Sequence, residues 1–282
     1  MFKTAAIIGV GLIGGSLARV IRNRGVAERV IGTGRSAANM EKAVALGIID
    51  ESLPATEAVK DADLIFLCGP VKSILPTLKE IAPFIKDGAI VSDAGSTKRT
   101  IVEGARDISA GKFTFIGSHP IAGTEKSGAE ASFETLFDNH KCILTPNPDT
   151  PEKDLKLLKT VWEKAGMEIV VMNPETHDKV LGAVSHLPHL VVYALVNTVC
   201  DLNEESDLIK FAAGGFKDFT RIASSPPEMW GDIALENRSV MLEQIEMMIS
   251  QLQKIKTAVN EKDKEELLKI FGKSSSFRKK LP

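Results

Sequence analysis

Apolar residues follow two different rhythms along this chain. Up to residue 172 they come in short, mostly apolar runs, at 5–8, 29–31, 64–68, 89–92, 113–116, 142–145 and 168–172. The first run ends in Gly9, and a three- to four-residue apolar spacing follows over 13–24, with Gly25 placed as a C-cap. Short, mostly apolar strands separated by amphipathic helices are the pattern of a parallel sheet covered on both faces. The expected architecture is an open, doubly wound α/β layer.

The rhythm changes at Asn173-Pro174, beyond which no strand-like run remains. Residues 175–202 read as a buried helix interrupted near Pro188, and 229–259 as one long helix with apolar positions at helical spacing. The boundary therefore falls between a dinucleotide-binding domain over 1–172 and an all-α domain over 173–282. Long apolar helices need a partner surface, and a second copy of the chain is the expected one. The fold class predicted is a Rossmann-like, doubly wound, mostly parallel sheet followed by a helical substrate and dimerisation domain.

A length of 282 residues suits two domains, and 44% hydrophobic with 26% charged residues is an ordinary globular composition. A net charge of -2 gives no pull toward nucleic acid or an anionic membrane. Three scattered cysteines (Cys68, Cys142, Cys200) have no metal spacing, which points to reduced thiols in the cytoplasm. The apolar N-terminus is interrupted by four glycines within seven residues, so it is not read as a leader, and no membrane span is expected. No metal is expected either, since histidines and carboxylates do not cluster.

Gly9-Val10-Gly11-Leu12-Ile13-Gly14 fits GxGxxG between the first strand and the first helix. The first glycine permits the turn, the second lets backbone approach a pyrophosphate, and the third allows close helix–strand packing. The helix N-terminus supplies free N–H groups to the anion. An acid normally ends the second strand to bind the ribose hydroxyls. Here the stretch reads Ile31-Gly32-Thr33-Gly34-Arg35-Ser36. Arg35 and Ser36 suit a 2′-phosphate, so the cofactor is NADP or NAD, with the balance toward NADP.

Gly117-Ser118-His119-Pro120-Ile121-Ala122-Gly123-Thr124-Glu125-Lys126-Ser127-Gly128 follows an apolar strand, at the sheet edge where ligands bind in such folds. His119 there is a candidate general base, its ordinary pKa lying close to operating pH. This segment resembles the hallmark of the prephenate/arogenate dehydrogenases. The resemblance extends through Asp93-Ala94-Gly95-Ser96-Thr97-Lys98, Val184-Ser185-His186-Leu187-Pro188-His189 and Gly214 to Ala223.

The resemblance implies an oxidative decarboxylation in tyrosine biosynthesis, with hydride passing to NAD(P). It implies His119 as the catalytic histidine and Ser96 as the serine that bonds the same hydroxyl. It also implies His189 reaching the substrate and Trp230 approaching the site. Arg221 is expected to pair with a substrate carboxylate through its planar fork. Thr124 and Glu125 line or gate the pocket. His186 is expected to brace the helix, while His140 and His177 lie off the motifs and are read as surface residues. Two rivals compete with this reading. One is a β-hydroxyacid or imine-type dehydrogenase on the same scaffold, the other an NAD(P)-sensing regulator without chemistry. Dehydrogenases of the first kind use a lysine in the helical domain, whereas the buried helix here offers His186 and His189 with Lys179 at its solvent end; Ser96, His119, His189 and Arg221 together disfavour the second.

Overall fold

The computed structural model describes residues 2–124, 126–203 and 207–281. Eight strands form one sheet: β1 (Phe2–Ile8), β2 (Ala27–Thr33), β3 (Glu51–Ser52), β4 (Leu64–Leu67), β5 (Ile90–Asp93), β6 (Thr114–Pro120), β7 (Lys141–Thr145) and β8 (Glu168–Val171). Their order is β3-β2-β1-β4-β5-β6-β7-β8. The chain starts mid-sheet and builds outward in both directions, so a crevice opens at the carboxyl ends of β1 and β4. All seven expected strands are present. β3 was not anticipated, because two polar residues carry no apolar signal.

Helices α1 (Leu12–Asn23), α2 (Ala37–Ala45), α3 (Ala55–Ala58), α4 (Ile74–Ile81), α5 (Arg99–Ser109) and α6 (Glu152–Lys164) cover the sheet. One face packs α1 with Phe66, Phe137 and Trp162, whose rings meet edge to face at 5.5 and 5.6 Å. Each such pair adds about 0.5–1.5 kcal/mol beyond the area it buries. The other face packs α4 and α5 and also receives Trp230 and Ile233 from the helical half. That shared cluster seats one half of the chain on the other.

β7 runs antiparallel to β6, because the intervening connection holds, among its described residues, a single 3-10 turn (Glu134–Phe137) and folds back instead of crossing over. The consequence matters for the site. Residues 114–116 of β6 pair with β5, whereas 117–120 have outrun β5 and pair with β7 alone. His119 thus stands beyond the end of the neighbouring strand, at the mouth of the crevice.

The helical half comprises α7 (Pro174–Leu181), a π-helical turn (Gly182–His186), α8 (Leu187–Asn203), α9 (Gly214–Thr220), α10 (Pro227–Glu236), α11 (Arg238–Asn260) and α12 (Lys264–Arg278). The expected interruption near Pro188 is this π turn. The chain stays helical through it, with Leu187 N–H bonding the Gly182 carbonyl just before a residue that has no N–H. The single helix expected over 229–259 is in fact two, broken at Asn237 (φ -99°, ψ 28°). Asn237 is buried, and its amide donates to the Asp178 carbonyl at 2.9 Å and lies 3.2 Å from His186 Nδ1. Those buried partners fix the break, which apolar spacing does not register. The continuous run Pro174–Asn203 is also long and apolar enough to cross a membrane by length and hydropathy, contrary to the expectation of no such span. The buried helix expected over 175–202 is largely uncovered on the single chain, since Val192 is the one fully buried residue of α8.

One ion pair holds the sheet edge under the site. Lys98 and Asp93 are both fully buried and salt-bridged, and Asp93 also accepts from the amides of Gly95 (2.8 Å) and Ser118 (3.1 Å). Removing one partner strands the other charge in a dry interior. Lys98→Met is expected to cost about 3–5 kcal/mol of folding stability. Denaturant unfolding measures it, and an unchanged midpoint would show that this pair does not hold the sheet edge.

Candidate active site

The glycine loop is shaped for close approach of a ligand. Gly9 sits at φ +103°, where an added Cβ would press on the backbone of Cys68 and Gly69 at 3.0 Å. A Cβ on Gly14 would strike the Gly9 carbonyl oxygen, so the third glycine keeps α1 against β1. Gly11, the N-cap of α1, faces open space instead, and no acid occupies the first turn. Gly11, Leu12 and Ile13 therefore present backbone to a volume suited to an anionic pyrophosphate. The residues present fit a dinucleotide.

Asn39, which the motif reading missed, braces this loop. Its amide donates to the Val10 carbonyl at 2.8 Å, and its oxygen accepts from Ala129 N–H at 2.9 Å. It thus ties the glycine loop to the segment following the hallmark residues. Arg35 is exposed beside it, while Ser36 caps α2 by accepting from Asn39 N–H at 3.3 Å. The Ser36 hydroxyl proton remains available to a ligand.

At the far side of the crevice, His119 does not stand alone. His119 Nδ1 is 2.8 Å from His177 Nε2, and His177 Nδ1 is 2.8 Å from Asp178 Oδ1. Asp178 also accepts the backbone N–H of Lys98 at 2.8 Å and of Arg99 at 3.0 Å. The expectation that His177 lies on the surface is wrong: it is fully buried on α7. Its burial comes from docking α7 on α5 and the sheet edge, a contact between segments far apart in sequence. The adjacent His-Asp pair, next to a proline-started helix, was the available signal. His140 is exposed, as expected.

Electrostatics follow from this burial. Desolvation pushes the His119 pKa well below its usual value, and the fields of His177, Lys98 and His186 push the same way. Burial also lowers His177, partly offset by the hydrogen bond to Asp178. Burial would raise the Asp178 carboxyl, but His177 and the Arg99 and Lys98 amides outweigh it and hold it below its usual range. Burial lowers His186 to about 4. Its ring lies beside the Ser96 backbone, with Nε2 lacking a hydrogen bond of normal geometry. Ser96 itself is half-buried in the loop between β5 and α5.

A second group continues from His186. Its ring meets Trp230 edge to face at 6.1 Å, and His189 stacks on Trp230 at 3.5 Å with an 18° tilt. His189 Nδ1 bonds the Ser185 carbonyl at 2.8 Å, leaving Nε2 for a ligand. Burial lowers the His189 pKa, and Arg221 is near enough to add to that lowering. Trp230 is buried within its own chain, while Arg221 is exposed. Thr124 is exposed, its Oγ1 accepting from Lys126 N–H at 3.2 Å. Glu125 lies outside the described residues. Among the described residues, no group of three or more His, Cys, Asp or Glu could hold a metal ion.

Comparison with known proteins finds the same family over both halves of the chain. The profile described as prephenate dehydrogenase, nucleotide-binding domain, matches residues 17–171, and that of the prephenate dehydrogenase dimerization domain matches 173–273. The prephenate dehydrogenase of Bacillus subtilis is 38% identical over 285 residues, covering 100% of this chain and 77% of its own length. The prephenate dehydrogenase of Aquifex aeolicus, solved with hydroxyphenyl propionate and NAD+, superposes with a TM-score of 0.93 at 40% identity, covering 100% of this chain and 99% of that one. Arogenate dehydrogenase of Synechocystis gives 0.85 at 33% identity, covering 98% of this chain and 99% of that one.

The buried histidines carry a pH dependence. A histidine whose folded pKa is depressed resists protonation in the native state, so its stability is intact above the unfolded value and lost on acidification. His186, shifted from 6.5 to about 4, opposes folding by on the order of 3 kcal/mol once pH falls through that window. His119 and His177 act in the same direction. Thermal unfolding between pH 7 and pH 4 is expected to show a steep loss of stability, diminished in His186→Gln. A flat profile would contradict neutral buried imidazoles.

Proposed function

The chain belongs to the prephenate dehydrogenase family, and from that premise we propose that its crevice carries out the oxidative decarboxylation of prephenate or arogenate with a nicotinamide dinucleotide. Gly9, Gly11 and Gly14 would hold the dinucleotide, which would supply a hydride acceptor for the ring carbon that bears the hydroxyl. His119 Nε2 takes the hydroxyl proton as the carbon–oxygen double bond forms. The bond to the ring carboxylate then breaks, its electron pair enters the ring, and carbon dioxide leaves. The oxygen recovers its proton and the product is a phenol. The observation that carries this reading is the pairing of His119 Nδ1 with His177, which leaves Nε2 without a protein partner among the described residues.

Ser96 bonds the same hydroxyl from the β5 loop. Arg221 and His189 Nε2 receive a substrate carboxylate, with Trp230 holding the His189 ring in place. Arg221, Ile209, Phe211 and Phe219 are all exposed on the single chain. A second copy covering these helices completes the substrate end, so the working unit is a homodimer, in keeping with the dimerization-domain match. The division into a cofactor half and a helical half falls at residues 172 and 173, the cofactor is NADP with NAD accepted, and the enzyme works in the cytoplasm.

The decisive assay follows reduced-nicotinamide absorbance with prephenate or arogenate against NADP or NAD. Turnover in at least one combination is expected, and silence in all four with cofactor demonstrably bound would end the proposal. His119→Asn is expected to lower turnover by roughly two to four orders of magnitude. Arg221→Ala is expected to raise KM for the substrate about tenfold or more, as for a lost charged hydrogen bond. Arg35→Ala is expected to cost NADP about ten- to a hundred-fold in kcat/KM while leaving NAD unchanged. Equal losses for both cofactors would reject the 2′-phosphate role.

A further inference from the structure

Proton bookkeeping in this reaction leaves a question that His119 alone does not answer. The hydroxyl proton is removed when the hydride departs and must return to the same oxygen once the ring aromatises. Between those events the site holds an extra positive charge, yet His119 is a poor place to keep it. Burial disfavours its imidazolium, and Lys98 adds a like charge nearby. His177 differs in one respect: its Nδ1 lies 2.8 Å from the Asp178 carboxylate.

We propose that His177 and Asp178 form a closed proton store behind His119, so that the charge taken from the substrate rests on His177 rather than on His119. This rests on the assignment of His119 as base. The hydrogen-bond pattern fixes the direction. Asp178 is ionised and already accepts two backbone amides, so it must also accept from His177 Nδ1–H. His177 Nε2 is then a lone pair, and His119 must donate Nδ1–H to it. That sets the His119 tautomer with a basic Nε2 toward the crevice.

The step balances without any further reagent. The substrate O–H bond breaks and an N–H bond forms at His119 Nε2. The Nδ1–H bond of His119 breaks and an N–H bond forms at His177 Nε2. His119 is neutral again, and His177 becomes an imidazolium beside Asp178. On aromatisation both transfers reverse. Full burial of His177 keeps the proton from solvent during the interval. The groups facing this pair are Asp178 on its own helix, Asp93 on β5, Lys98 ahead of α5, Cys142 on β7 and His186 on the π turn. Among these, Lys98 and His186 disfavour the charge and the two carboxylates favour it. His177 and Asp178 are positioning residues: neither is assigned a contact with substrate.

Two measurements test the proposal. In the wild-type apoprotein at neutral pH, 15N-resolved imidazole spectra should show His119 protonated at Nδ1 and His177 at Nδ1. Protonation of His119 at Nε2 would overturn the store. The second uses His177→Gln, whose side-chain oxygen can still accept from His119 Nδ1–H but cannot take a proton. It should lower kcat by roughly tenfold or more, with KM and cofactor Kd within about twofold. The dependence of kcat on the deuterium fraction of the solvent should be curved in wild type, with two protons moving, and straight in the variant. Unchanged kcat and an unchanged curve in His177→Gln, with His119→Asn inactive, would remove the store but leave the base. Full activity in His119→Asn would remove the base itself.

Discussion

Asp178 is the point on which the two halves of the molecule and the histidine proposed as base all depend. It sits on the first helix of the helical half, yet its oxygens accept the amides that open α5 in the sheet half. Its own carbonyl takes the Asn237 amide, which fixes the break between α10 and α11. Through His177 it reaches His119. One residue thus ties α7 to α5 through its carboxylate, meets the Asn237 turn through its backbone carbonyl and, through His177, sets which nitrogen of the proposed base is free. A buried carboxylate is costly unless it is fully bonded, and here three donors satisfy it.

Around that anchor, the sheet supplies reach rather than chemistry. β6 outruns β5 by four residues, and Asp93 closes the exposed backbone by accepting from Ser118. His119 is therefore carried past the sheet edge on a strand, where its position is stiffer than a loop would give. The cofactor loop lies across the same crevice, at the carboxyl ends of β1 and β4.

Local pattern carried much of this into the sequence. Gly9 to Gly14 and the apolar runs declare the cofactor half, because a turn and a buried strand each need particular residues at fixed spacing. The segment around His119 declares the family by resemblance, and with it the histidine proposed as base. His177 is missed because the packing that buries it joins segments 58 and more positions apart, and the adjacent Asp178 is its local sign. Asn39 and Asn237 were silent for the same reason, since each acts by bonding backbone from a distant segment. Burial of isolated polar residues is a tertiary property, and apolar spacing cannot register it.

The account stands or falls on where the substrate oxygen sits. A crystal structure of the protein with dinucleotide and the phenolic product bound tests this directly. The phenol oxygen is expected within hydrogen-bond distance, about 2.6–3.2 Å, of His119 Nε2, with the carbon bearing it facing the nicotinamide ring. A phenol oxygen held elsewhere, with His119 Nε2 turned into the protein, would contradict the proposed chemistry of this site.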